Sequence, residues 1–545
     1  MNGFDFEQRY SQPPSQGRRR TGDHVRYGFV IDHNRCIGCH ACTVACKDEH
    51  SVPVGVFRTW VKYIEKGEFP NTSRHFGVMR CNHCDAAPCV EICPTGALFR
   101  RDDGIVDFDN SRCIGCKSCM QACPYDALYI DPDTHTAAKC NFCAHRIELK
   151  LEPACVVVCP TRAIIAGDLD DPRSPIAQIV ATQKVATRKP YKGTQPKLFY
   201  AGIEGDFLQP AMMEAQASHL FAEHNPAANP SQLDYPEKER EVPGVARVVY
   251  DVAHPQPWGV IPALYLWTKS IAAGLLIVAA VLTFSKNPGA DAVVPAVLAP
   301  MAAIAFLAIT TILLIADLDR PDRFYFILTK PNRRSWLVWG TWILIVYGIL
   351  GLGWAGFALF TRGVPRALTA LAAVAGGAAA GYSAFLFAQG KGRDLWQSPL
   401  FLWHLIVQAV VAGAASMILI AAAAAVHRFG LIPNGGRQII RLLDPILAGA
   451  IVVSVLMILG EVFLPPFSAD VERATDLIIR GRLRARFWYG VIVIGGLIPL
   501  ALLCFELTNN VSSPALDTLA AVLTLAGLFV FEEIWITAGQ APPLS

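Results

Sequence analysis

The chain has almost no net charge. Its 48 lysines and arginines face 45 aspartates and glutamates, for +3 at pH 7, which gives no electrostatic reason to bind nucleic acid. It lacks a phosphate-binding glycine loop, a dinucleotide fingerprint and a hydrolytic triad, so substrate chemistry of those kinds belongs to another chain. No histidine pair stands at haem-ligand spacing, which argues against a haem. Arg18, Arg19 and Arg20 are followed by Thr21-Gly22-Asp23-His24, without the roughly 7–15 apolar residues of an export signal. Residues 1–27 read as a disordered polar arm. Cysteine nearly vanishes after Cys159. Cys504 alone follows, and it reads as a packing residue.

Before that point cysteine is abundant. Sixteen of the seventeen fall into four tetrads. These are Cys36, Cys39, Cys42 and Cys46; Cys81, Cys84, Cys89 and Cys93; Cys113, Cys116, Cys119 and Cys123; and Cys140, Cys143, Cys155 and Cys159. The first and third read C-x2-C-x2-C-x3-C, and Ile37-Gly38 and Ile114-Gly115 repeat inside them. The second and fourth stretch one gap, and the last three close on Cys-Pro at Pro94, Pro124 and Pro160. A disulfide scaffold is small and has no membrane half. Zinc takes two separated pairs around one tetrahedral ion. Crowded runs closing on Cys-Pro instead suit iron–sulfur cubanes, in which the fourth cysteine can ligate the neighbouring cluster. Four redox centres in one small domain make sense as a wire.

Residues 28–207 resemble the four-cluster electron-transfer subunit of the complex iron–sulfur molybdoenzymes, which include dimethyl sulfoxide, polysulfide and tetrathionate reductases. The resemblance is carried by Asp32-His33-Asn34-Arg35-Cys36, Cys81-Asn82-His83-Cys84 with Pro88-Cys89, Lys139-Cys140-Asn141-Phe142-Cys143, and the stretch from Lys189-Pro190 to Lys197-Leu198-Phe199-Tyr200. It implies four [4Fe–4S] clusters with exchanged ligands. Cys36, Cys39 and Cys42 would share one with Cys159, and Cys140, Cys143 and Cys155 one with Cys46. Cys81, Cys84 and Cys89 would pair with Cys123, and Cys113, Cys116 and Cys119 with Cys93.

Residues 208–257 are rich in Pro, Ala, Glu and His and read as an extended linker, with a small helical subdomain around Ala211 to His224 as the alternative. From 258 to 545 the chain turns apolar. Eight runs, at 260–284, 293–316, 336–361, 367–388, 400–426, 443–467, 487–507 and 515–538, each reach the roughly 20 residues that cross a bilayer. The fold class expected is an α+β ferredoxin-like four-cluster domain followed by an all-α eight-helix transmembrane domain.

Eight spans return the chain to the side on which it entered. Loops on that side carry Arg320, Arg323, Lys330, Arg333, Arg334, Lys391, Arg393, Arg473, Arg480, Arg482, Arg484 and Arg486. Loops on the other carry Lys286, Arg362, Arg366, Arg428, Arg437 and Arg441. The positive-inside rule then places the cysteine domain in the cytoplasm, and the family resemblance implies a bacterial or archaeal inner membrane. Part of that charge could instead serve docking.

The membrane half resembles the NrfD/PsrC-type quinone-reactive subunits through Asp317-Leu318-Asp319-Arg320-Pro321-Asp322-Arg323-Phe324, Lys330-Pro331, Ser335-Trp336, Gly381-Tyr382-Ser383-Ala384-Phe385-Leu386, Trp396-Gln397-Ser398-Pro399-Leu400 and Ala538-Gly539-Gln540. One departure is Glu532-Glu533, where many relatives carry arginine. The two components, usually separate chains, are fused here.

Ionisable groups inside a bilayer are costly and usually do something. Lys269 falls mid-depth in the first span. Tyr382, His404, Glu461, Glu532 and Glu533 fall toward the cysteine-domain ends of theirs, and Asp317 closes the second. A quinone needs proximity to the last cluster and groups that exchange protons. Tyr382, His404, Lys269 and Glu461 are therefore the candidates for quinone and proton chemistry, with Tyr382, His404, Asp317 and Glu532 as candidate quinone contacts. The blander readings are an interfacial anchor for Tyr382 and a packing role for His404. Lys269 would then neutralise Glu461 or Glu532, Asp317 would bind Arg320 or Arg323, and Glu533 would face the headgroups.

The function implied is electron exchange between menaquinone or ubiquinone and a separate molybdopterin chain. A multihaem cytochrome partner, or a redox-driven proton-translocating module, is the alternative.

Overall fold

The computed structural model describes residues 25–545 except 68–69, 204–207, 209, 211–212, 216–245, 286–292, 362, 426–434 and 510–512. Most of the expected arm, residues 216–224 of the alternative helix and the loop cations Lys286, Arg362 and Arg428 lie outside the described residues, and Met213–Ala215, within that alternative helix, is a strand.

Among the described residues the cysteine domain is built from two four-stranded sheets and two hairpins. Tyr27–Asp32 is the inner strand of the first sheet. It runs antiparallel to Ile164–Asp168 and parallel to Leu198–Ala201, so both ends of the domain close on one strand. The hairpins Leu98–Arg100 with Val106–Phe108 and Leu128–Asp131 with Thr136–Lys139 follow the second and third tetrads. The sequence repeat is also a backbone repeat. Gly38 and Gly115 have φ of 67° and 69°, and His40 and Lys117 have φ of 59° and 60°. Left-handed backbone two residues after Cys36 and Cys113 turns the chain around its thiols, and glycine adopts it without strain. At both glycines a Cβ would also collide, with Phe76 and with Asp319.

The second sheet departs from the expected linker. Ala246–Tyr250 pairs antiparallel with Thr59–Lys66, and Met213–Ala215 pairs with Ala246–Tyr250. Part of residues 208–257 thus extends the cysteine domain. Lys62 in that sheet is buried and forms an ion pair with Asp251 at 3.2 Å, which fixes the segment just before the first span.

Among the described residues, eight helices are long and apolar enough to cross a membrane: Val260–Phe284, Val294–Ala316, Trp336–Phe360, Arg366–Ala388, Phe401–Ala424, Gln438–Phe463, Arg486–Asn509 and Pro514–Gln540. The first is the most enclosed, with 78% of its most apolar stretch buried against 22% for the second. Small residues allow this. A Cβ on Gly274 would come within 1.7 Å of Ala409 O, so the first and fifth spans pack backbone to backbone, as helices in lipid commonly do. Gly495 and Gly527 join the seventh and eighth spans in the same way. Outward faces expose Trp339, Trp342, Val346, Ile349 and Leu456, a surface suited to lipid rather than water.

The two halves meet through the loops on the cysteine-domain side. Asn332 Nδ2 donates to Cys93 O at 2.8 Å, and Ser335 Oγ to Ile92 O at 2.6 Å. Arg323 Nη1 donates to Asn110 O and Cys113 O at 2.7 and 3.2 Å. Gly392 N donates to Gln121 O at 3.1 Å. Gln540, at the end of the last span, accepts from Gln121 Nε2 at 2.7 Å and donates to Trp258 O at 2.9 Å. Lys192 pairs with Asp394, and Lys189 with Asp470 at 3.7 Å. Buried charges at such a seam are tolerated because each finds a partner.

Candidate functional site

The fold regroups the cysteines. Cys36, Cys39 and Cys42 line one cavity with Cys159. Cys113, Cys116 and Cys119 line another with Cys93. Cys84 and Cys89 have Cys81 and Cys123 as electrostatic neighbours, and Cys46 has Cys140, Cys143 and Cys155. We call these groups distal (Cys36, Cys39, Cys42, Cys159), second (Cys46, Cys140, Cys143, Cys155), third (Cys81, Cys84, Cys89, Cys123) and membrane-side (Cys93, Cys113, Cys116, Cys119).

The groups stand in a row. Cys42 of the distal group feels Cys155 of the second. Cys140 of the second feels Cys81 of the third. Cys119 of the membrane-side group feels Cys89 of the third. At one end Cys39 is exposed, beside Ile37 at 57% exposure. At the other end the backbone carbonyls of Cys93, Cys113 and Cys116 accept hydrogen bonds from Asn332, Arg323 and Trp258 of the membrane half.

The donor set fits iron–sulfur clusters. Among the described residues no cysteine is in a disulfide. Burial, and then the thiols beside them, push Cys116 and Cys143 up to about 12. Bare thiolates are unfavourable there, and a soft cation that takes them in fours relieves the crowding. Buried N–H groups around them, on Arg80, Asn82 and Arg112, have no acceptor among the described residues. Cluster sulfides are acceptors of the kind they lack.

Below the membrane-side group lie two buried polar clusters. In one, Lys269 Nζ of the first span donates to Ser383 Oγ at 2.7 Å and Ala380 O at 3.0 Å in the fourth. Tyr265 O–H lies 2.6 Å from Ser383 Oγ and 3.3 Å from Tyr382 O–H. The Lys269 ammonium sits 4.9 Å from the centre of the Tyr382 ring. Glu532 of the eighth span is fully buried, has no hydrogen-bond partner, and lies within electrostatic reach of Lys269. In the other cluster, His404 Nδ1 donates to Glu461 Oε2 at 2.9 Å, and Ser398 Oγ donates to Glu461 Oε1 at 3.1 Å. Gln408 Nε2 lies 3.2 Å from His404 Nε2, and an amide donor there puts the ring proton on Nδ1, toward Glu461.

Lys269 therefore belongs with Tyr382 and Glu532 rather than with Glu461. Asp317 sits apart from both clusters, at the seam. Its carbonyl accepts from Lys117 Nζ at 3.3 Å. Arg320 and Arg323 pair with Asp322 instead of Asp317. Burial, opposed by Lys117 and helped by Asp319, pushes the Asp317 carboxyl up to about 6. Glu533 pairs with Arg486 across the ends of the seventh and eighth spans. Cys504 is exposed on the seventh span, away from the thiol groups.

Residues 35–97 and 73–169 match families described as 4Fe-4S dicluster domain. Residues 249–542 match the family described as polysulphide reductase, NrfD, more than half of the sequence. The protein belongs to the NrfD polysulphide reductase family. Its cysteine domain is 47% identical over 208 residues to a tetrathionate reductase subunit from Salmonella typhimurium, covering 37% of this chain and 83% of the relative. It is 47% identical over 178 residues to protein NrfC of Escherichia coli, covering 32% and 80%. It is 43% identical over 177 residues to a polysulfide reductase chain from Wolinella succinogenes, covering 32% and 93%. This NrfD-family chain is thus a multi-pass membrane protein in which an iron–sulfur electron-transfer subunit is fused to an NrfD-type domain, and its relatives are subunits of reductase complexes.

Two groupings in this NrfD-family chain escaped the sequence reading. Asp444, Glu506 and Asp517 converge at the far ends of the sixth, seventh and eighth spans, buried, with one oxygen from each within 4.8 Å of the others. The signal was a carboxylate one or two turns inside each span end, a pattern that gains meaning only once the helices are packed. His254, just before the first span, bridges Asp126 and Asp251. Nothing in its local sequence marks it.

Proposed function

We propose that the chain carries electrons through four [4Fe–4S] clusters, one in each thiol group, between menaquinone or ubiquinone in the membrane and a separate molybdopterin catalytic chain. The observation that supports this best is the row of thiol groups, running from exposed Cys39 to the carbonyls of Cys93, Cys113 and Cys116 at the membrane loops. When bound, the clusters supply one-electron steps at each group. The protein holds them in line, shields most of the thiols from water and offers N–H donors around them.

The membrane end is short. Leu386 of the fourth span packs into the apolar core around Cys89, Cys119 and Cys123. Tyr382 lies four residues deeper on that helix, about 6 Å of rise. Tyr382 and Lys269 are placed to hydrogen-bond a quinone oxygen, and His404 with Glu461 to take or give its protons. Asp317, at the seam, contacts Lys117 rather than these groups, and we assign it to docking.

The catalytic chain would meet the distal group, where Cys39 and Ile37 reach the surface. The membrane we assign is the inner membrane of a bacterium or archaeon, with the cysteine domain cytoplasmic. Four of the twelve cations on that side, Arg320, Arg323, Arg393 and Arg473, donate to the cysteine domain and its strand extension. Eight remain against six on the far side, so the bias survives. The far-side carboxylates Asp444, Glu506 and Asp517, with Lys269 and Glu532 toward the other side, favour a second reading in which protons also cross the membrane half.

The test is anaerobic isolation from the native membrane. The reading expects about sixteen iron atoms per chain, a co-purifying molybdopterin subunit, and cluster signals that respond to added quinol or quinone. Zinc without iron would overturn it. Proton release from sealed vesicles during quinone turnover would support the second reading.

A further inference from the structure

Arg80 closes the strand Ser73–Arg80 and is fully buried. Among the described residues no carboxylate pairs with it. One face of its guanidinium lies 4.6 Å from the centre of the Phe29 ring. Its Nη1 donates to Cys155 Sγ at 3.1 Å, while Nε and Nη2 have no acceptor. A guanidinium stays charged at any pH the protein meets, and a lone buried cation is untenable without compensating charge. Among the described residues, the groups within its reach that could carry the compensating negative charge, as cluster ligands, are cysteine sulfurs. Its electrostatic partners are Cys155 and Cys140 of the second group and Cys42 of the distal group.

We propose that Arg80 is the shared counter-ion of the distal and second clusters, a positioning and tuning residue that raises both reduction potentials. Reduction adds negative charge to a cluster. A buried cation donating N–H bonds to its sulfur favours the reduced form, since hydrogen bonds to sulfur and local charge set the potential. One guanidinium between two groups acts on both, so its removal lowers both potentials. The unpartnered Nε and Nη2 are the donors that the cluster sulfides would occupy. The third and membrane-side groups are not among its strong partners, so the effect is confined to the half of the wire nearest the catalytic chain.

This inference rests on the four-cluster reading, and its test separates the two. Arg80→Met and Arg80→Lys complexes are isolated anaerobically, their iron is counted, and each is titrated redox-potentiometrically with paramagnetic resonance detection. The iron count tests the clusters, and the midpoints test Arg80. In Arg80→Met two of the four midpoints should fall by at least a tenfold change in the reduction equilibrium, about 59 mV for a one-electron couple, while the other two stay. Arg80→Lys keeps the charge but loses the fork, so the same two should fall by less. Four unshifted midpoints with full iron in Arg80→Met would overturn the assignment, as would a shift of one midpoint alone. Should Arg80→Met fail to hold iron, Arg80→Lys decides. Full iron with two midpoints lowered and two unchanged supports the proposal, and full iron with none displaced refutes it.

Discussion

His404 and Glu461 hold each other across the fifth and sixth spans, 2.9 Å from Nδ1 to Oε2, with side-chain exposures of 0% and 2%. In the function proposed above, this buried acid and base are the groups that pass protons to or from the quinone. Lys269 and Tyr382 form a second polar unit between the first and fourth spans.

Glu461→Gln keeps the shape but removes the proton acceptor for His404. Turnover with quinol should fall by roughly 10²–10⁴-fold, the range for a lost general acid or base. Cluster midpoints should be unchanged. Steady-state quinol oxidation and a parallel redox titration check both, and turnover unaffected by the change would remove this pair from the proton path.

Lys269→Met removes an ammonium that holds Ser383 and Ala380 and lies against Tyr382. Quinone turnover should drop with cluster content intact. The buried Glu532 loses its only nearby cation among the described residues, so Lys269→Met with Glu532→Gln should be more stable than Lys269→Met alone. Thermal unfolding in detergent measures that difference.

His254 lies between Asp126 and Asp251, about a third exposed. Opposed by burial, the two carboxylates raise it to about 10. A raised basic group stabilises the folded state fully below its unfolded value near 6.5, and that contribution disappears as pH climbs through 10. His254→Gln should cost roughly 1–3 kcal/mol at pH 6, the scale of hydrogen bonds to charged groups, and much less at pH 11. Unfolding midpoints of both proteins across that range measure the convergence, and a gap that stays constant with pH would contradict the ion pair.

Gly392 packs directly on the cysteine domain, and a Cβ there would lie 2.6 Å from Gln121 O and 2.7 Å from Cys123 O. Both atoms are backbone and cannot swing aside. Gly392→Ala should destabilise the seam by about 1–3 kcal/mol, the usual cost of overpacking, and should expose this loop to protease. Gly449, with open space around its Cβ position, is the control and should tolerate alanine.

Much of this was legible in the sequence because its signals are local. Long apolar runs mark spans whatever their neighbours do, and seven of the eight fell within a few residues of the helices observed. The sixth was expected at 443–467 and lies at Gln438–Phe463. Arg441 looked like a boundary, yet it stays in the helix with its side chain exposed, as long cations do near span ends. Pro465 and Pro466 stop the helix early. What was not legible depends on distant partners. Ala246–Tyr250 is a strand only because Tyr63, Ile64 and Glu65 offer an edge. Which fourth cysteine joins which three is not written in the spacing and came from resemblance alone. Asp322 rather than Asp317 takes the arginines because the loop turns between them.

The most direct measurement of the central claim is stepwise reduction of the anaerobically isolated complex by a quinol, followed by paramagnetic resonance and iron analysis. About sixteen iron atoms per chain are expected, with paramagnetic cluster signals that appear on adding quinol and fade in Tyr382→Phe. Full iron with clusters that only a strong chemical reductant reaches, and never quinol or quinone in either direction, would contradict it.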